Sequence, residues 1–287
     1  MKPLPIAAVA GYAMEAGETP TNLREDLRAA CPAAPRRINR LIELSLIGAH
    51  RCAANRKLDA RTAIYMACTH GCISDAVTLV RDTVRGVPTM PVTFINVSSN
   101  MAGFYVASTL GLHSGNHVGS ANEFAWEATL ELARASRGPV LVGAVEECAW
   151  PLDAHRVRLD LARGAVVLET SQWLLADPAA ENPCAWFEDL RRYASTAALL
   201  EALRASPPAA GTRLQVSGPA DAGALAGITA ATALVPQAAL APSGHTGMPA
   251  ALQCLGFIED PREAGKTLLH LSAAHSGAWY LLKIRRA

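Results

Sequence analysis

Charge is scarce in this chain and nearly balanced. Only 18% of its 287 residues are Asp, Glu, Lys or Arg, and 26 bases face 25 acids for a formal net charge of +1. Such a balance removes the electrostatic basis for binding nucleic acid or an anionic membrane surface. Long apolar runs are also lacking: no stretch reaches the roughly 20 residues that a membrane-spanning helix needs. The run over residues 6–14 follows a single lysine, Lys2, and is followed at once by Glu15 and Glu18. It makes a poor secretion signal, and a first strand over 6–10 ending at Gly11 fits it better. The seven cysteines (Cys31, Cys52, Cys68, Cys72, Cys148, Cys184 and Cys254) are odd in number and irregular in spacing, so no disulfide framework is expected. Reduced thiols in a cytoplasmic protein are the expectation. Cys68 and Cys72 enclose Thr-His-Gly with no second pair to follow, so the four ligands of a structural zinc site are not in prospect. No metal or other cofactor is expected.

What the chain does have is apolar content, at 51%, enough for a sizeable core. Its patterning predicts strands alternating with helices. Residues 36–54 form a helix with Leu41, Ile42, Leu44 and Ile47 on a wide apolar face. Residues 63–67 are a strand covered on both faces, and 71–85 a helix. A short strand over 92–95 leads into a helix over 100–110, whose small residues Ala102, Gly103, Ala107 and Ser108 permit close packing. Residues 117–121 are a short strand or turn. A helix over 122–137 turns Ala125, Ala128 (or Thr129) and Leu132 inward, and 139–145 and 165–169 are buried strands. Residues 177–213, rich in Ala, Pro and charge, are expected to link two halves and to carry a helix over 195–205. A second α/β section opens at 214–217 and closes with strands over 267–272 and 277–284. The alternation predicts α/β layers in a single compact domain, with similar halves at 1–176 and 214–287 but no clean sequence repeat.

Five segments in one order then carry a family resemblance. Asn96-Val97-Ser98-Ser99-Asn100-Met101-Ala102-Gly103 is followed by Leu110-Gly111-Leu112-His113-Ser114-Gly115-Asn116 and by Val118-Gly119-Ser120-Ala121-Asn122-Glu123-Phe124-Ala125. The stretches GPVLVGAVE (138–146) and RGAVVLE (163–169) complete the set. Together they resemble the β-ketoacyl synthases, and Ser243-Gly244-His245-Thr246-Gly247 resembles that family's G-H-T-L-G-A segment. The resemblance implies a thiolase-like α/β fold, layered αβαβα with two similar halves, in a shortened form.

It also implies a dismantled site. Asn122 stands where the family has its acyl-accepting cysteine, Ser217 where it has a first histidine and Leu240 where it has a lysine; His245 alone matches. A carboxamide cannot form an acyl-enzyme. Asn122 suits an N-cap for the helix that follows, or a group holding an acyl or malonyl carbonyl by hydrogen bonding. Substitute nucleophiles are Cys72, close in sequence to His70, and Cys148, whose neighbours Glu146 and Glu147 disfavour a thiolate. Ser120 paired with His245 lacks the second glycine of a nucleophile elbow and a nameable carboxylate.

Within the family, the resemblance points to chain length factors, which lack the cysteine and pair with an active ketosynthase. A heterodimer would form through the strand and helix around 94–110. Phe104, Tyr105 and Phe124 would line an acyl tunnel, and an acyl carrier protein would be a further partner. Two alternatives stay open: a divergent acyltransferase, decarboxylase or cyclising enzyme using His245, and a structural homodimer or scaffold that binds carrier protein, which Arg134, Arg137 and Arg156 would meet unless they form a solvated helix face.

Overall fold

The computed structural model describes residues 3–237 and 244–287. The first half runs β1 (Leu4–Glu15), α1 (Arg24–Ala30), α2 (Arg40–Ala53), β2 (Ala63–Cys68), α3 (Ile73–Val84), α4 (Pro91–Asn96), α5 (Asn100–Leu110), β3 (Asn116–Ser120), α6 (Ala125–Arg134), β4 (Val140–Glu146), α7 (Leu152–Arg158) and β5 (Leu168–Ala176). The second runs β6 (Ala185–Tyr193), α8 (Thr196–Ala205), β7 (Arg213–Ser217), α9 (Ala222–Thr232), α10 (Pro249–Glu259), β8 (Thr267–Ala273) and β9 (Trp279–Arg286).

Nine strands among the described residues hydrogen-bond in the order β3-β2-β4-β5-β1-β6-β9-β8-β7. The pairing repeats. β2 and β4 are parallel, β4 and β5 antiparallel, β5 and β1 antiparallel. In the second half β7 and β8 are parallel, β8 and β9 antiparallel, β9 and β6 antiparallel. The halves meet where Leu4, Pro5 and Ile6 of β1 pair with Phe187, Trp186 and Ala185 of β6. β3 is the extra strand of the first half, parallel to β2 at the sheet edge.

Strand alternation sorts the core into layers. Along β4, Val140, Val142 and Ala144 join the cluster that contains α6 and α10, while Leu141 and Val145 join the one around α2. The α6–α10 cluster also takes Phe187, Leu268, Leu282 and Ile284 from the second half, so these two helices form a layer shared by both halves. Leu199, Leu203, Ala224 and Ile228 of α8 and α9 cover the outer face of the second half. The result is the five-layered αβαβα arrangement. In the first outer layer, α2 starts at Asn39, whose side chain accepts the Ile42 N–H at 3.0 Å. Leu41, Ile42, Leu44, Leu46 and Ile47 are fully buried, each contributing about 1.5–3 kcal/mol by burial. Trp173 of β5 wedges between α2 and β4: a Cβ added at Gly48 would sit 2.5 Å from its ring, and one at Gly143 would sit 2.6 Å from it.

Several expected elements shift. Residues 92–95 are part of helix α4 rather than a strand, because Pro91 sits at the helix start and the Thr93 and Phe94 N–H groups bond the Met90 carbonyl. The segment expected to link the halves contains β6, which holds them together, as well as the expected α8. The strand expected over 165–169 begins only at Leu168 and runs to Ala176, since Gly164 (φ +78°) and the Ala165–Ala162 backbone bond make a turn. In α6 the buried face carries Trp126, Leu130 and Ala133, and Leu132 faces solvent.

Candidate functional site

A cavity of ≈ 1230 Å³ opens between the halves, at the ends of β2, β7 and β8. The first half contributes Thr69, His70, residues 122–125, Glu127 and the turn after α7; the second contributes residues 217–219, 244–250, Gln253, Ser272, Ala273 and His275.

Asn122, Ser217 and His245 all line this cavity. Asn122 is exposed in the turn between β3 and α6, and its side chain makes no hydrogen bond among the described residues. It is not the cap of α6. That place belongs to Phe124, in the left-handed region at φ 58° with no side-chain cap bond. The turn is tied instead to the opposite half, where the Glu123 carboxylate accepts the His275 N–H at 2.6 Å. Ser217 ends β7, buried, before Gly218 at φ +83°; a Cβ on Gly218 would lie 2.1 Å from the Ala273 carbonyl oxygen, so the turn requires glycine. His245 is fixed by its backbone: its N–H donates to Val166 at 2.9 Å and its carbonyl accepts from Leu168 at 2.8 Å. Its ring makes no hydrogen bond with a described residue. Leu240 lies outside the described residues.

None of the seven cysteines lines the cavity. Cys72 is buried and its thiol is pushed up to about 12, first by burial. Its neighbour His70 turns to Glu146 instead. Cys148 is fully buried, and burial followed by Glu169 and Glu146 drives its thiol far up. Ser120 donates its hydroxyl to the Thr69 carbonyl at 2.9 Å and does not line the cavity with His245.

Phe124 lines the cavity, whereas Phe104 and Tyr105 do not. Both lie on α5; Phe104 is 53% exposed on the outer surface, and Tyr105 packs on the outer cluster of the first half. The basic trio separates as well. Arg137 is exposed, but Arg134 is half-buried, and Arg156 is buried with Nη1 2.8 Å from Asp153 and Nε donating to the Ala165 carbonyl. Arg156 is therefore a structural residue, unavailable to a carrier protein.

The sequence pattern missed a group of buried titratable residues around the cavity. His70 Nδ1 lies 3.2 Å from Glu146 Oε1. Glu147, beside it, accepts only the Ser74 N–H at 2.8 Å, and burial pushes its carboxyl up to about 8. Glu169 is fully buried in a two-pronged pair with Arg40 and accepts the Cys148 N–H at 3.0 Å. Below the cavity, His270 is driven down to about 3 by burial and so is neutral. It contacts Gln253 Oε1 through Nε2 at 3.0 Å and the Ser272 hydroxyl through Nδ1 at 3.4 Å. Glu127, buried at the cavity wall, has its carboxyl raised by burial, with a Ser272 hydrogen bond opposing. The available signal was a polar residue in an otherwise apolar strand, as at Glu146, which ends β4, and His270, at the middle of β8.

No protein-family model and no curated relative matches the sequence. Solved structures do. The ishigamide ketosynthase/chain length factor superposes with a TM-score of 0.76 at 17% identity, over 99% of this chain and 99% of that one. A ketosynthase (ApeO) in complex with its chain length factor (ApeC) from Xenorhabdus doucetiae gives 0.57 at 11% identity, covering 100% of both chains. AntDE:AntF, a type II acyl carrier protein in complex with its ketosynthase, gives 0.67 at 10% identity, over 100% of this chain and 99% of that one. The chain thus has the ketosynthase-like thiolase fold, in a form that resembles ketosynthase/chain length factor structures.

Proposed function

We propose that the chain is a ketosynthase-like subunit of the chain length factor type, which pairs with an active β-ketoacyl synthase and helps to shape its acyl tunnel. The observation that carries this reading is the cavity itself. It lies between the halves and is lined by Asn122 and Ser217, which by the resemblance stand where condensation needs a thiolate and an imidazole, and no cysteine reaches it. Of the expected tunnel residues, Phe124 supports the role from within the cavity, where its half-buried ring can obstruct a channel.

A pairing surface is available on the first half. Helix α3 buries none of its residues, and Val80, Val84, Met90, Phe94, Ile95 and Phe104 are exposed across α3, α4 and α5. Apolar exposure on this scale is characteristic of an interaction surface. It includes the segment around 94–110 expected to meet the partner, and β3 presents an open edge beside α5. Arg137 remains as the exposed base of the three considered for a carrier protein.

The test is reconstitution. The isolated chain should not condense acyl and malonyl carrier-protein substrates, and co-expression with a ketosynthase from the same gene neighbourhood should give a complex that co-elutes. Condensation by the isolated chain, lost in Asn122→Ala, would sink the reading. A divergent acyl-transfer enzyme using His245 would instead leave an acyl adduct on the protein, detectable by intact mass spectrometry.

A further inference from the structure

The loop after β2 places His70 in the cavity, paired with Glu146 at the end of β4, and condensation uses neither. His70 Nδ1 is 3.2 Å from Glu146 Oε1, and the other Glu146 oxygen accepts the Thr69 backbone N–H at 2.8 Å. The Glu146 side chain is 5% exposed and that of His70 17%. A carboxylate held at both oxygens fixes the ring beside it: Nδ1–H donates to Glu146, and Nε2 is left as a proton acceptor. No described residue hydrogen-bonds Nε2. Next to the pair, Thr69 is 7% exposed and its hydroxyl has no partner although it lines the cavity. Gly247 packs against this hydroxyl, since a Cβ there would lie 2.3 Å from it. An oriented base and an unpartnered buried hydroxyl in one cavity form a site for a molecule with a polar oxygen beside a bond to be cleaved.

We propose that the cavity hydrolyses acyl thioesters, with His70 as general base, Glu146 as its positioning residue and water as the nucleophile. The substrate class rests on the proposed function; the His70–Glu146 geometry does not. A water proton passes to His70 Nε2 as the water oxygen bonds to the thioester carbonyl carbon, whose oxygen takes a hydrogen bond from Thr69. The C–S bond then breaks, and the imidazolium returns its proton to the departing sulfur. One water and one thioester give one carboxylic acid and one thiol, with no acyl-protein and no oxidant. Glu146 stabilises the imidazolium that forms between the two transfers. The titratable groups facing the pair are Arg158 and His155 of α7, Glu147 and Cys148 after β4, and Cys68 at the end of β2; His155 is held down at about 4 by burial, then Arg158 and His70.

Purified full-length protein is given octanoyl-N-acetylcysteamine, with thiol release followed by a disulfide-exchange dye and oxygen incorporation followed in labelled water. Thiol release above buffer is expected, with label in octanoate and no acyl adduct. His70→Gln should slow it by about 100-fold, the scale of general-base catalysis. Glu146→Gln should lower kcat with KM little changed, because the imidazolium formed in the reaction loses its anionic neighbour, and should add little further loss to His70→Gln; a merely structural Glu146 would slow the reaction equally in both backgrounds. If Glu146→Gln does not fold, His70→Gln decides. Release no faster than buffer, an unaffected His70→Gln, or an acyl adduct would each overturn the inference. Co-elution with a ketosynthase is read separately, so failed hydrolysis with intact pairing overturns only this inference, and hydrolysis without pairing overturns only the subunit role.

Discussion

Glu147 places a carboxyl group in the interior with a single backbone donor, and its protonation is consequently tied to folding. Its folded pKa of about 8 lies above the ordinary 4.5. Between those values the folded chain holds a proton that the unfolded chain has lost, so stability contributed at low pH is lost as pH rises towards 8. Glu147→Gln should melt close to wild type at about pH 5 and increasingly above it towards about pH 8, as thermal denaturation across that range will show. Packing sets a second residue-scale expectation. Gly143→Ala places a methyl 2.6 Å from the Trp173 ring and should lower stability by about 1–3 kcal/mol in urea denaturation. Asn122 was legible because five segments in order fixed its place in the motif. The left-handed Phe124 was not, since a bulky residue gives no signal of positive φ. Nor was the His70–Glu146 pair, whose members lie 76 residues apart and meet only when β2 and β4 align.

Helices α3, α4 and α5 form the element-scale feature with the most direct bearing on assembly. Phe94 and Phe104 are 68% and 53% exposed, so a charge at either removes little internal packing. Phe94→Glu and Phe104→Glu should leave the melting temperature of the isolated chain unchanged and abolish co-purification with a ketosynthase. Helices α2, α3, α5, α6 and α8 were legible to within a few residues because their apolar spacing is helical, whereas α4 reads as a strand and α7, α9 and α10 were not expected. β6 was hidden for a physical reason. Its inward residues Ala185, Phe187 and Leu190 do not alternate regularly, because the register shifts between Phe187 and Asp189. β5 was seen only at its start, since Glu169, Thr170, Ser171 and Gln172 are buried polar residues; Arg40, Thr246 and the Tyr12 carbonyl, which pair with Glu169, Thr170 and Gln172, lie far away in the chain, and Ser171 accepts from Trp173 within the strand.

For the whole molecule, the shared α6–α10 layer joins the halves more closely than a division at 176 and 213 suggests. Ile6, Val142 and Leu174 pack in one cluster with Phe257, Leu268 and Ile284. The full chain should unfold in one calorimetric transition with matching van't Hoff and calorimetric enthalpies, and residues 1–176 expressed alone should lack a cooperative melt. The likeness of the halves escaped a search for sequence repeats because the sequence of strand pairings is repeated, not the residues. The five-residue β3 bears on the life of the protein in a cell. Its outer backbone groups form a template for another chain, and none of Asn116, His117, Gly119 or Ser120 is a lysine or proline that would discourage misuse of the edge. Under the proposed pairing, a copy made in excess of the ketosynthase would carry that adhesive edge into solution, and the ratio at which the two polypeptides are synthesised would govern how much of this one survives as usable protein.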